Sequence, residues 1–143
     1  MLFQIDERLA NSSVSLRKIG LFDIRLADDA RYYWLIIVPE IAGASEWDDF
    51  DEDTRRDLIE LANSLSRSLK RYANADKMNI ASIGNMVSQF HLHIVARHKG
   101  DDAWPKPIWG HGTARPYQAS QNDHIMAALG ELIDSFCQPH ETR

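Results

Sequence analysis

The segment at residues 89–97 constrains the fold most, because polar and apolar side chains alternate along it. In an extended strand, successive side chains point to opposite faces, so Gln89, His91 and His93 share one face and the apolar residues between them share the other. The pattern predicts a strand with one face in a core and two imidazoles on the other face, about 7 Å apart.

Other segments have patterns that are typical of strands. Apolar and polar residues alternate over residues 22–26, and residues 34–38 are continuously apolar up to Pro39, as in a buried central strand. A polar turn between these two segments predicts a hairpin, and residues 11–13 ahead of them are turn-forming. Residues 78–83 are extended and apolar-rich, and they predict a second hairpin with the histidine segment.

Two segments have helical spacing. Carboxylates at residues 51–53 suit the positive end of a helix dipole, and a long helix is predicted to follow them. Its apolar stripe recurs at steps of three and four residues: Leu58, Leu61, Ala62, Leu65, Leu69 and Tyr72. A C-terminal helix is predicted from Ile125, Leu129, Leu132, Ile133 and Phe136.

The order of these elements indicates the fold class. The strands fall into two groups around a long helix, and they do not alternate one by one with helices as in a parallel sheet. We therefore predict an α+β fold, with an antiparallel sheet of about five strands, one long central helix and a C-terminal helix. The 143 residues fit one domain over residues 1–143.

Composition excludes several classes of function. The formal charge of −5 and the lack of a cationic cluster argue against a nucleic-acid footprint. No apolar run approaches the roughly 20 residues that span a bilayer, and no secretory signal is visible, so we expect no membrane partner and a cytoplasmic location. Cys137 is the one cysteine, which excludes an intrachain disulfide and favours a packed thiol.

The two histidines allow three interpretations. They can be exposed polar residues on a half-buried strand. They can bind a metal ion, although zinc requires three or four protein ligands and no third is evident, so we expect no metal site. They can also include a nucleophile, because unprotonated imidazole attacks phosphorus and gives a covalent intermediate. That chemistry needs donors for phosphate oxygens, which Asn85, Gln89 and His93 can provide.

Residues 84–97 resemble the signature of the histidine triad family of nucleotide hydrolases and transferases, in which three histidines alternate with apolar residues. The version with glutamine first, followed by a Trp-Pro segment, is similar to a bacterial branch described as dinucleoside tetraphosphate hydrolase-like. The resemblance implies a histidine-triad-like fold, a nucleotide or dinucleoside polyphosphate substrate and a homodimer that extends the sheet. No cofactor is expected.

The resemblance also implies roles for the histidine segment. His91 would attack the α-phosphorus of a nucleotide and carry the nucleotidyl group as a phosphoramidate, while His93 would help bind the phosphate and the leaving group. Gln89 replaces the first histidine, but it keeps the backbone carbonyl that orients the nucleophile in this family. Its amide can donate to a phosphate oxygen, although it cannot act as an acid. Met86 stands where many relatives have a hydroxyl.

Other expected contacts lie outside that segment. By resemblance, Asn85 would touch the phosphate and Asp28 would bind ribose. Ile24 and Leu26 lie on the strand that the family uses to line its base pocket. The alternative to an enzyme is a nucleotide-binding or regulatory module that lost its activity with the first histidine.

Several aromatic and charged residues have structural interpretations as well. Trp34 is expected in the core. Trp104 and Trp109 can cover the nucleotide or a dimer partner, or simply hold the Pro-rich segment on the body. Arg97 can reach phosphate or be solvated or paired at the strand end.

Overall fold

The computed structural model describes residues 2–136, and it has five strands and three α-helices. The strands are β1 (Ser13–Ile19), β2 (Phe22–Ala27), β3 (Tyr33–Pro39), β4 (Lys77–Ala81) and β5 (Leu92–Arg97). The helices are α1 (Glu7–Ser12), α2 (Glu52–Ala73) and α3 (Ala119–Asp134), with a 3-10 turn at Trp47–Asp49. Cys137 lies outside the described residues, and so does its expected packing.

The strands form one antiparallel sheet in the order β1-β2-β3-β5-β4. This confirms the predicted α+β class and the long central helix. None of the helices in the described part of the chain is long and apolar enough to cross a membrane.

Strand β1 was missing from the sequence-based prediction, which treated the residues at its start as a turn. The strand is mostly polar, and its pairing with β2 shifts between Ser15 and Arg17. Such a bulge places two residues opposite one and interrupts the strict alternation by which a strand is recognised. Leu16 is its buried apolar residue, and it packs in the main core.

The histidine segment enters the sheet later than its alternation predicts. Strand β5 begins at Leu92, which pairs with Ile37 of β3. Residues 89–91 precede the ladder and are held differently, with the Phe90 N–H donating to the Ala44 carbonyl at 3.0 Å. His91 therefore lies immediately before the first residue of β5, and His93 lies within the strand.

The main core lies between one face of the sheet and helices α2 and α3. Helix α2 starts at an N-cap, where the Asp51 carboxylate accepts from the Thr54 N–H at 2.8 Å, and it ends at Asn74 in the left-handed conformation. The inward stripe of α2 is fully or nearly fully buried: Leu58, Ala62, Leu65 and Leu69. Because α2 covers this face, the other face of the sheet is left for the site.

Candidate functional site

A cavity of about 550 Å³ opens on the face of the sheet opposite α2. Helix α1, the ends of β2 and β3, the loop at residues 83–87 and the segment at residues 108–114 form its walls. Both histidines of interest, His91 and His93, line it, and so do Asn85 and Asp28. The structure thus brings four of the predicted site residues to one cavity.

His91 is oriented by its own backbone neighbourhood. Its Nδ1 lies 2.8 Å from the Gln89 carbonyl oxygen, and a carbonyl can only accept, so Nδ1 carries the proton and donates it. In the neutral ring, Nε2 then holds the lone pair. The side chain is buried and lines the cavity. The hydrogen bond holds Nδ1 in place, and Nε2 of the neutral ring is available as a nucleophile.

His93 has the opposite hydrogen-bonding pattern. The indole Nε1–H of Trp34 donates to His93 Nδ1 at 3.0 Å, so Nδ1 is the acceptor and the neutral ring carries its proton on Nε2. The ring centroids of His91 and His93 are 4.8 Å apart. Burial, together with a smaller effect of the neighbouring His91, lowers the pKa of His93 to about 3. His93 is therefore a neutral donor near neutral pH.

The buried His93 predicts a dependence of stability on pH. Its pKa falls from 6.5 in the unfolded chain to about 3 in the folded protein. Between these values the unfolded chain binds a proton that the folded chain does not, so stability rises with pH and is lost as pH falls below about 6.5. We expect this side chain alone to lower the free energy of unfolding by about 2 kcal/mol between pH 7 and pH 5.

Urea denaturation of the wild type and of His93→Gln at both pH values measures this effect. The variant cannot titrate at this position, so its difference between the two pH values should be smaller by that amount. An equal difference in the two proteins would contradict the assignment.

The loop before the histidine segment contributes amide and backbone groups to the cavity. Gly84 has φ +69°, a left-handed conformation that side chains rarely adopt, and it turns the chain so that Asn85 and Met86 line the cavity. Arg8 of α1 fastens this loop by donating from Nη1 to the Met86 carbonyl at 2.7 Å. Arg8 itself lines the cavity, and no pattern in the sequence around it indicates this.

The turn between β2 and β3 supplies the acidic wall. Asp28 lines the cavity, and one of its carboxylate oxygens accepts from the Tyr117 N–H at 2.9 Å. Its neighbour Asp29 is buried and forms an ion pair with Arg31 at 2.8 Å. Burial alone would raise the pKa of Asp29, but hydrogen bonds from Arg31 and from the Arg115 N–H hold it below its usual value. This wall of the cavity therefore carries the Asp28 carboxylate and an Asp29–Arg31 ion pair whose opposite charges balance.

The side chain of Gln89 does not line the cavity. Its Oε1 accepts from the Asp6 N–H at 2.8 Å, and its Nε2 donates to the Gln4 carbonyl at 2.9 Å. The amide is therefore committed to the N-terminal segment, and the expectation that it donates to a phosphate is corrected. Only its backbone carbonyl reaches the site, through His91.

Ile24 and Leu26 also lie away from the cavity. They are 0% and 1% exposed and belong to the main core beneath α2. Alternation along β2 directs these two residues to the core face, whereas Ala27, of the opposite parity, lines the cavity together with Ile36 of β3. The expected contact of Ile24 and Leu26 with a base is therefore corrected.

Trp34 and Trp109 lie on the cavity side of the sheet. Trp34 was expected in the core; it is half-buried, packs against two smaller buried clusters and also lines the cavity. Trp109 packs against His93 with ring centroids 5.3 Å apart. The Arg97 guanidinium lies over the ring of Trp104, with its central carbon 5.5 Å from the ring centroid. Arg97 is paired with Asp101 at 2.8 Å, in agreement with the interpretation that a strand-end arginine is paired.

Comparisons with known proteins agree with this arrangement. The family model of the HIT domain matches residues 10–100. A histidine triad protein from Marinobacter aquaeolei VT8 is similar, with 36% identity and a TM-score of 0.92 over 94% of this chain and 98% of that chain.

Two further solved structures are similar over nearly their whole lengths. A histidine triad protein from Sinorhizobium meliloti 1021 has 36% identity and a TM-score of 0.87 over 90% of this chain and 96% of that chain. One from Bradyrhizobium japonicum has 34% identity and a TM-score of 0.89 over 93% of this chain and 99% of that chain. No curated protein matches the chain significantly.

Proposed function

Because the chain belongs to the histidine triad family, whose members bind nucleotides and hydrolyse or transfer nucleotidyl groups, we propose that it is a nucleotidyl hydrolase or transferase. The reaction proceeds through a covalent nucleotidyl-histidine intermediate on His91. The observation that carries this proposal is the hydrogen bond from His91 Nδ1 to the Gln89 carbonyl, because it leaves Nε2 free to attack from the cavity wall.

The chemistry takes two steps. The lone pair of His91 Nε2 attacks the α-phosphorus, and the bond from phosphorus to the leaving oxygen breaks, with its electron pair going to that oxygen. Water then attacks the same phosphorus and releases a proton, and the phosphorus–nitrogen bond breaks and returns its electron pair to Nε2. The products are a nucleoside monophosphate and the leaving group, and another nucleophile in place of water would give transfer.

Neighbouring groups stabilise the charge that develops. His93 donates from Nε2–H to an oxygen of the phosphate or of the leaving group, and Asn85 donates from its amide. Asp28 accepts from a ribose hydroxyl with the oxygen that Tyr117 leaves free. These donors and the Asp28 acceptor suit a dinucleoside polyphosphate as substrate. Its phosphate leaving group is a weak base and needs no proton to depart.

A homodimer is also part of the proposal. Strand β4 lies at one edge of the sheet, and its Ile80 is exposed. Unpaired edge groups and an apolar side chain suit the addition of a strand from a second copy. Sedimentation as a monomer at micromolar concentration would contradict this. A cytoplasmic location stays a prediction from the sequence.

Trapping the intermediate tests the proposed function. The protein is mixed briefly with a panel of dinucleoside polyphosphates and nucleoside phosphoramidates, quenched, and examined by intact mass spectrometry. We expect a mass increase of one nucleotidyl group that maps to His91. Nucleotide binding without an adduct or turnover across the panel would overturn the enzyme proposal and favour a binding module.

A further inference from the structure

Trp34 reaches His93 because of the register between β3 and β5. Ile36 lies directly opposite His93, and Trp34 lies opposite Val95. Trp34 is therefore the diagonal neighbour of His93 on the same face of the sheet, a position within reach of a long aromatic side chain. The indole Nε1–H lies 3.0 Å from His93 Nδ1.

An indole N–H can only donate, and this fixes the protonation pattern of His93. Nδ1 must accept, so it carries no proton, and the ring is neutral with its hydrogen on Nε2. Protonation of Nδ1 would place two donors against each other at this short distance. The contact thus disfavours both the imidazolium and the other neutral tautomer.

The surroundings of His93 reinforce the same state. Trp34 and Trp109 flank its ring, with centroids 5.5 and 5.3 Å away, and the residue is only 6% exposed. Apolar ring faces provide no acceptor for an added proton and keep water away from Nδ1. Charged and titratable groups on the cavity walls face this region from α1, from the β2–β3 turn, from the start of β5 and from the segment at residues 108–114: Arg8, Asp28, Asp29, Arg31, His91 and His111.

We propose that Trp34 is a positioning residue that holds His93 as a permanently neutral donor. Because Trp34 occupies Nδ1, only Nε2–H can donate to the reacting groups. His93 then stabilises charge by a hydrogen bond while its ring stays neutral. The part that concerns turnover rests on the proposed function. The assignment of the tautomer does not.

Nuclear magnetic resonance of protein labelled with ¹⁵N-histidine tests the tautomer directly. Two-bond proton–nitrogen correlations report which ring nitrogen carries hydrogen. We expect His93 of the wild type to stay neutral with the proton on Nε2 from pH 5 to pH 8. Titration of His93 in this range, or a proton on Nδ1, would overturn the proposal whether or not the protein turns over any substrate.

The variant Trp34→Phe tests the role of the indole N–H. It keeps an aromatic ring and removes the donor, so His93 should populate both neutral tautomers or begin to titrate. With an active substrate, we expect kcat to fall about tenfold with little change in KM, and a new acidic limb in the pH profile. Trp47→Phe, which removes an indole packed against Phe90 in the main core, is the control and should leave the His93 tautomer unchanged.

An unchanged tautomer and pH profile in folded Trp34→Phe would also overturn the proposal. If the variant does not fold, the wild-type spectra still decide the tautomer. If no substrate is turned over, but His93 shows the expected tautomer in the wild type and loses it in Trp34→Phe, the proposed function fails and the assignment to Trp34 stands.

Discussion

Replacing His91 with alanine is expected to abolish turnover, with a loss in kcat on the order of 10⁴-fold or more. The variant lacks the nitrogen that we propose attacks phosphorus. His93 does not replace it, because its Nδ1 lone pair accepts from Trp34 and its other ring nitrogen carries the proton. Steady-state kinetics and intact mass spectrometry measure the two consequences, the lost rate and the lost adduct.

The histidine on α3 provides a control for this experiment. His124 is exposed and does not line the cavity, so His124→Ala should keep wild-type activity. Thermal unfolding of both variants shows whether the fold is intact. Full turnover by His91→Ala would rule out His91 as the nucleophile.

Replacing Asp101 with alanine is expected to destabilise the protein by about 3–5 kcal/mol, the largest effect on stability that we predict. Arg97 donates to both carboxylate oxygens of Asp101, at 2.8 and 3.0 Å, and the two side chains are 2% and 6% exposed. The third guanidinium nitrogen donates to Asn79 at 2.9 Å. Without Asp101, a buried guanidinium loses the counter-charge that balances its desolvation.

A surface ion pair provides the control for this prediction. Arg56 and Glu52 lie 2.7 Å apart on α2, with side chains that are 67% and 75% exposed. Such pairs contribute less than about 1 kcal/mol, so Arg56→Ala should be nearly neutral. Chemical denaturation compares the two variants. If Asp101→Ala lowers the free energy of unfolding no more than Arg56→Ala does, the prediction for the buried pair is wrong.

The strands and helices that could be predicted are those with patterns local in the sequence. Strands β2 and β3 and helix α2 were predicted because alternation, continuous apolarity and three-to-four spacing each occur within a few turns of chain. Strand β1 was not predicted, because its bulge and polar residues remove the pattern. The late start of β5 depends on where its partner strands end, which a single segment does not record.

The cavity was harder to predict because its contacts join distant residues. The hydrogen bond between Trp34 and His93 joins residues that are 59 positions apart in the sequence. The hydrogen bond from Arg31 to the His111 carbonyl joins residues that are 80 positions apart. Alternation shows which side chains share a face, but it does not show which face carries the cavity. The resemblance to the family assigned Ile24 and Leu26 to a base pocket because it indicated the strand but not the face, and both residues lie in the core.

Gln89 has two tasks, and they belong to different parts of the residue. The carbonyl accepts from His91 Nδ1 and so orients the proposed nucleophile, and the amide binds the N-terminal segment through Gln4 and Asp6. For protein engineering, this means that the side chain can be varied without removing the partner of His91, since every amino acid has that carbonyl. The substitution Gln89→His would therefore complete the three histidines of the triad, but it would also weaken the attachment of the segment that leads into α1.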